Sequence, residues 1–64
     1  MTEEDKGKTV KIISVDMIDE CRAIQVGDLG EIQLIENELV YVVLKTGLAK
    51  GSIYTLNAEQ LKVI

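Results

Sequence analysis

Cys21 is the only cysteine in the chain, and there is no histidine. No internal disulfide can form, and one thiol does not make a zinc set. The chain is also short, at 64 residues. A domain of that size buries only about 60% of the surface its unfolded form exposes. Without a covalent or metallic staple, stability has to come from a closed, well-packed core, with self-association as the remaining aid. This length supports one domain at most.

The material for that core is aliphatic. Apolar residues make up 47% of the chain, mostly Val, Ile and Leu, and the only aromatics are Tyr41 and Tyr54. β-branched residues punctuated by glycine favour strands over helices. "TVKIISVD" puts Val10 and Ile12 on one face with Lys11 opposite, and Ile13 and Val15 then fall on the other face. That switch predicts a bulge or bend near Ile12–Ile13. "MIDECRAIQV", residues 17–26, spaces Met17, Cys21 and Ile24 as a short helix would. Its three charges and the glycine that follows favour an irregular excursion instead, with Ile24 and Val26 tucked under the rim of the core and Cys21 a half-buried thiol.

In "VGDLGEI" two glycines flank Asp28-Leu29. Glycine takes positive φ without steric cost, so the reading is a tight turn feeding a strand. Ile32 and Leu34 would alternate there with Glu31 and Gln33, and Gly30 would let two backbones approach. A Gly-x-x-Gly nucleic-acid clamp needs flanking helices and a basic loop, whereas this loop carries Asp28. "IENEL" is a reversal in which Asn37 tolerates the left-handed conformation. "LVYVVLK" is the strongest strand, with Val40, Val42 and Leu44 on one face and Leu39, Tyr41 and Val43 on the other. Both faces being apolar, the outer one calls for cover by a loop or a partner. "TGLAKG" is a hairpin loop that lacks the Gly-Lys-Ser/Thr of a phosphate loop. "SIYTL" is a strand. In "NAEQ", Asn57 and Gln60 have capping-box spacing for one 3-10 turn, and "LKVI" ends the chain with Leu61 and Val63 on one face.

The residues therefore predict an all-β domain: a five-stranded barrel over residues 8–64 with a single 3-10 turn before the last strand, preceded by a flexible acidic arm at 1–7. Closure would also remove sheet edges, which an unstapled chain needs.

In that order, "VKII" before a long first loop, "VGDLGEI", "VYVVL" and "YTLNAEQLKVI" resemble the SH3-like small barrels, and the likeness covers residues 8–64. Length, acidity and the lack of catalytic residues are most similar to the very short barrels encoded by bacteria and their phages. The KOW and ribosomal barrels carry basic loops, the photosystem I accessory subunit carries basic and aromatic residues, and the proline-peptide-binding domains need a groove of several aromatics.

Charge narrows the function further. The net charge is −4, with acids grouped at Glu3-Glu4-Asp5, at Asp16, Asp19 and Glu20, and at Glu36 and Glu38. That balance opposes sequence-independent binding to phosphate backbones, which depends on Lys and Arg. No His is present to act as a base near neutral pH, Cys21 has no sequence-evident activating base, and the acids match no calcium loop. No cofactor, metal or enzymatic activity is expected. No apolar run approaches the roughly 20 residues that span a bilayer, the acidic start is not a signal peptide, and a lone thiol suits the cytoplasm.

The expected role is a small protein-interaction module, phage- or bacterium-encoded and modulating a host protein. Tyr41, Leu48 or Tyr54 would be the apolar anchor for the partner, ringed by charge, with Lys50, Asp16, Asp19 and Glu20 as the charged candidates. Two alternatives stand beside it. One is a nucleic-acid- or ribosome-associated barrel using Lys45 and Lys50, with Lys11 and Lys62 nearby if the first and last strands pair. The other is an assembly subunit, in which the apolar outer face of the third strand pairs with a copy of itself or with a larger complex.

Overall fold

The computed structural model describes residues 1–64, and its organising strand is β3 (Leu39–Leu44). Alternate side chains of a strand point to opposite faces, and Val40, Val42 and Leu44 are all fully buried on the inner one. β2 (Leu29–Glu36) and β4 (Ile53–Asn57) flank β3, both antiparallel to it. β1 (Thr9–Ile12) pairs with the far side of β2, and β5 (Leu61–Val63) with the far side of β1. The result is one antiparallel sheet in the order β4-β3-β2-β1-β5, all-β with five strands as the sequence predicts. No ladder joins β4 to β5, so hydrogen bonding does not close the sheet into a barrel. A 3-10 turn, Ala58–Gln60, carries the chain between these two edges. Val10, Ile12, Ile24, Ile32, Leu56 and Leu61 fill the concave side with the β3 trio.

The break in alternation lies in β2 and not near Ile12–Ile13. β1 stops at Ile12, and the Ile13 N–H donates to the Gln60 carbonyl at 2.8 Å. In β2 the register against β3 shifts between Ile32 and Leu34. Ile32 and Ile35 are buried, while Leu34 stays 40% exposed. Leu34 and Ile35 are both apolar, so the pattern alone could not say which of them turns inward. Such a bulge bends its strand, and β2 serves β1 with its first half and β3 along its length.

The glycine turn does what its residues imply. Gly27 has φ +97°, and a Cβ on Gly30 would collide with the Val42 side chain and come within 2.9 Å of the Val43 carbonyl oxygen. Asn37 is left-handed at φ 56° in the β2–β3 turn.

The excursion is not irregular throughout. Met17–Cys21 form a short helix, α1. Ile24 is fully buried as expected, but Val26 is exposed, as are Met17, Ile18 and Cys21. Met17 and Cys21 thus do lie on a helix, but its apolar residues point outward, and Ile24 falls beyond its end. The first residues also hold a turn: Glu3–Asp5 are 3-10, and the Gly7 N–H donates to the Ile32 carbonyl at 2.8 Å. Asp5 accepts from the Thr2 N–H at 3.2 Å and from Lys8 Nζ at 3.1 Å. The Thr2 bond, then the Lys8 bond, hold its carboxyl below the usual value of 3.8.

Candidate functional site

A Ser-Val-Asp segment leads into α1, and its aspartate caps the helix. Asp16 Oδ1 accepts the Asp19 N–H at 2.9 Å, and Asp19 Oδ2 accepts the Asp16 N–H at 3.1 Å. This is the reciprocal capping box, with Asp in both roles. Asp19 then reaches further. Its Oδ2 also accepts from Gln60 Nε2 at 2.7 Å. The same Gln60 amide donates to the Ser14 carbonyl at 3.2 Å, while Gln60 Oε1 accepts the Asn57 N–H at 3.0 Å. Asp19 is 4% exposed and Gln60 is buried with it. The three clustered acids therefore part company. Asp19 is an internal fastener between α1 and the 3-10 turn and is closed to any partner, whereas Asp16 and Glu20 remain on the surface.

The far end of α1 is a glycine-type helix stop made without glycine. The Ile24 N–H donates to the Asp19 carbonyl at 3.0 Å and the Ala23 N–H to the Glu20 carbonyl at 3.0 Å, the bond pair of a Schellman motif. Ala23 takes the left-handed position, φ 64°. Beyond it the backbone turns under the helix and leaves a groove of about 420 Å³ lined by Val15, Glu20, Ala23, Ile24, Gln25 and Val26. Met17, 81% exposed, and Ile18 add uncovered apolar surface from α1. Arg22 stacks its guanidinium over the Tyr54 ring at 5.5 Å, which brings β4 to the same side of the molecule.

The two tyrosines do not share a surface. Tyr54 is opposite the buried Val42 and belongs to the inner face, whereas Tyr41 is opposite Thr55 and stands on the outer one. The Tyr41 phenol donates to Glu36 Oε2 at 3.1 Å. That bond, together with the carboxylate's charge, raises the phenol above the ordinary 10.0. Leu34, Leu39 and Ile53 lie exposed around it.

Leu48 and Lys50 sit in the β3–β4 loop, both exposed, with the buried Ala49 between them. The loop is moored to the glycine turn: the Leu29 N–H donates to Thr46 Oγ1 at 2.9 Å, and Gly47 packs against Asp28, where a Cβ would come within 2.5 Å of Oδ1. Asp28 is itself buried and accepts the Gln25 N–H at 3.1 Å. Lys11 and Lys62 are directly opposed across β1 and β5, and Lys45 Nζ lies 3.9 Å from Glu31 Oε2.

The residues that sequence reasoning missed as site residues are Arg22, Met17, Ile18 and the groove lining. Asp-x-x-Asp ahead of an apolar stretch is the signal that would have placed α1 and turned its apolar side outward. No group of three or more His, Cys, Asp or Glu side chains gathers to hold a metal, and no helix is long and apolar enough to cross a membrane. Comparison with protein-family models, with curated proteins and with solved structures found no match.

Proposed function

We propose that the chain is an SH3-like barrel acting as a non-enzymatic protein-interaction module, with the α1 groove as its binding surface. The antiparallel order β4-β3-β2-β1-β5, the bulged β2 and the 3-10 turn before β5 support the barrel. The single observation that carries the function is the exposed apolar surface of the excursion: Met17 and Ile18 on α1 and Val26 in the groove wall lie uncovered, and the groove lining mixes Val15, Ala23, Ile24 and Val26 with Glu20 and Gln25. In a chain short of buried surface, several large apolar side chains left exposed within the one segment 17–26 mark a candidate interaction site. Asp16 and Glu20 border this surface, and Arg22 on Tyr54 forms a rigid shoulder of the kind that anchors partners. The partner is then a protein offering an apolar knob with basic neighbours, in keeping with a bacterial or phage modulator of a host protein.

The test compares what wild-type and Ile18→Glu protein retain from a bacterial lysate, followed by amide-shift mapping with the captured partner. The expected result is a partner held by wild type, lost by the variant, and shifting residues 13–26 and Tyr54. Shifts confined to 45–51 on titration with short DNA or RNA at low salt, with no groove-dependent protein captured, would replace this reading with the nucleic-acid one.

A further inference from the structure

We propose that the outer face of the sheet pairs with the same face of a second copy about a two-fold axis lying across the strands. This goes beyond the groove, because it concerns a surface of the sheet set apart from α1.

The register lays this face out in rows. Leu34, Tyr41 and Thr55 are aligned across β2, β3 and β4, and Glu31, Val43 and Ile53 form the next row. Together Leu34, Tyr41, Val43 and Ile53 make an apolar centre, half-buried or exposed, with Ile53 at 60%. The two ends of the face differ in sign. Beyond the first row lie Glu36 and Leu39, and the turn that follows carries Glu38. Beyond the second, Leu29 is opposite Lys11, Lys11 is opposite Lys62, and the Lys45 N–H donates to the Leu29 carbonyl at 2.8 Å. One face therefore runs from Glu36 and Glu38 through a largely apolar centre to Lys11, Lys45 and Lys62, with Glu31 at the margin of that centre 3.9 Å from Lys45 Nζ.

This polarity selects both the occupant and the axis. A two-fold contact is isologous, so each patch meets its own copy. An axis along the strands would set lysine on lysine and glutamate on glutamate, which is repulsive. An axis across the strands sets Glu36 and Glu38 of each copy against Lys11 and Lys45 of the other, and lays one apolar centre on the other. An unrelated partner would need the same gradient in reverse, and a second copy carries it by symmetry. A stable pair buries about 800 Å² per copy, roughly a fifth of the 4019 Å² surface, so association is expected to depend on concentration.

Sedimentation of the full chain across a wide concentration range tests this. Wild type is expected to shift from 7.1 kDa to twice that mass. Ile53→Lys, an exposed edge substitution, is expected to weaken association about tenfold or more while retaining the wild-type amide spectrum pattern. Glu36→Lys and Lys11→Glu should each weaken it, and the double variant should recover it, because the exchanged charges meet again only across the proposed axis. A chain that stays monomeric throughout, or a dimer indifferent to Ile53→Lys, overturns the proposal. A dimer sensitive to Ile53→Lys but not rescued by the charge exchange overturns the axis. Ile18→Glu should leave the dimer intact, which separates this result from that of the groove.

Discussion

Ala23 shows how much one side chain can cost a small domain. Its left-handed φ of 64° ends α1, at a position where glycine is the usual occupant. A Cβ there is strained by about 1 kcal/mol. Ala23→Gly is therefore expected to raise stability by about 0.5–1 kcal/mol, read as a higher urea midpoint at unchanged slope. Tyr41 gives a pH signature. Its phenol is held above 10.0 by the Glu36 carboxylate, through the hydrogen bond first and the charge second. A group raised in the folded state contributes stability that is intact below its unfolded value. Tyr41's contribution is thus present below pH 10.0 and is lost as pH rises through the folded value. With ¹³C-labelled tyrosine, the Tyr41 ring should titrate above the ordinary value, and Glu36→Gln should bring the midpoint down.

Two elements carry most of what is particular to this chain. The bulge in β2 decides which of two adjacent aliphatic residues enters the core. Ile35→Ala should cost about 2–5 kcal/mol and Leu34→Ala less than about 1 kcal/mol, measured by chemical denaturation. The reverse order of costs would mean an unbulged register, in which Leu34 would follow Ile32 inward. The fastener between α1 and the 3-10 turn makes the second case. Removing Asp19 takes one acceptor from the buried Gln60 amide, which keeps the Ser14 carbonyl, and removing Gln60 takes one donor from the buried Asp19 carboxylate, which keeps the Asp16 N–H; each loss should cost about 1–3 kcal/mol. The double-mutant cycle of Asp19→Ala and Gln60→Ala should return a coupling energy of about 0.5–3 kcal/mol. A value near zero would remove the bond from the account. The sequence shows why these two elements differ in legibility. Residues 39–44 are an unbroken β-branched and aliphatic run, broken in type only by Tyr41, and β3 follows directly as a strand. "LI" at 34–35 offers two equivalent choices, and only the fit of β2 against β3 resolves them. Asn57 and Gln60 announce a capped turn, but nothing in their spacing says that Gln60 also reaches residue 19, because that bond joins segments 41 positions apart.

For the whole molecule, the strand count follows from period-two patterning and glycine punctuation, while the strand order and the unclosed seam between β4 and β5 are matters of three-dimensional pairing that no linear pattern encodes. The candidate surfaces were less legible than the fold. Asp16, Asp19 and Glu20 look alike in sequence, yet burial removes one of them, and the sheet itself separates Tyr41 from Tyr54. The open seam has a measurable effect. A strand bonded on one side only opens locally at lower cost than a central one. Native-state hydrogen exchange should therefore show the slowest amides in β2 and β3 and faster, sub-global exchange in β5. Uniform protection across all five strands would indicate a closed barrel.

Gln60 holds Asp19 and Ser14 from one side, and the final strand begins at the very next residue. The tail is thereby a splint for the groove at the opposite end of the network. Whatever seats beside α1 should steady the last four residues as well, so that digestion from the carboxyl end slows when the groove is filled. Trimming those residues, conversely, should loosen the grip without touching a single lining side chain.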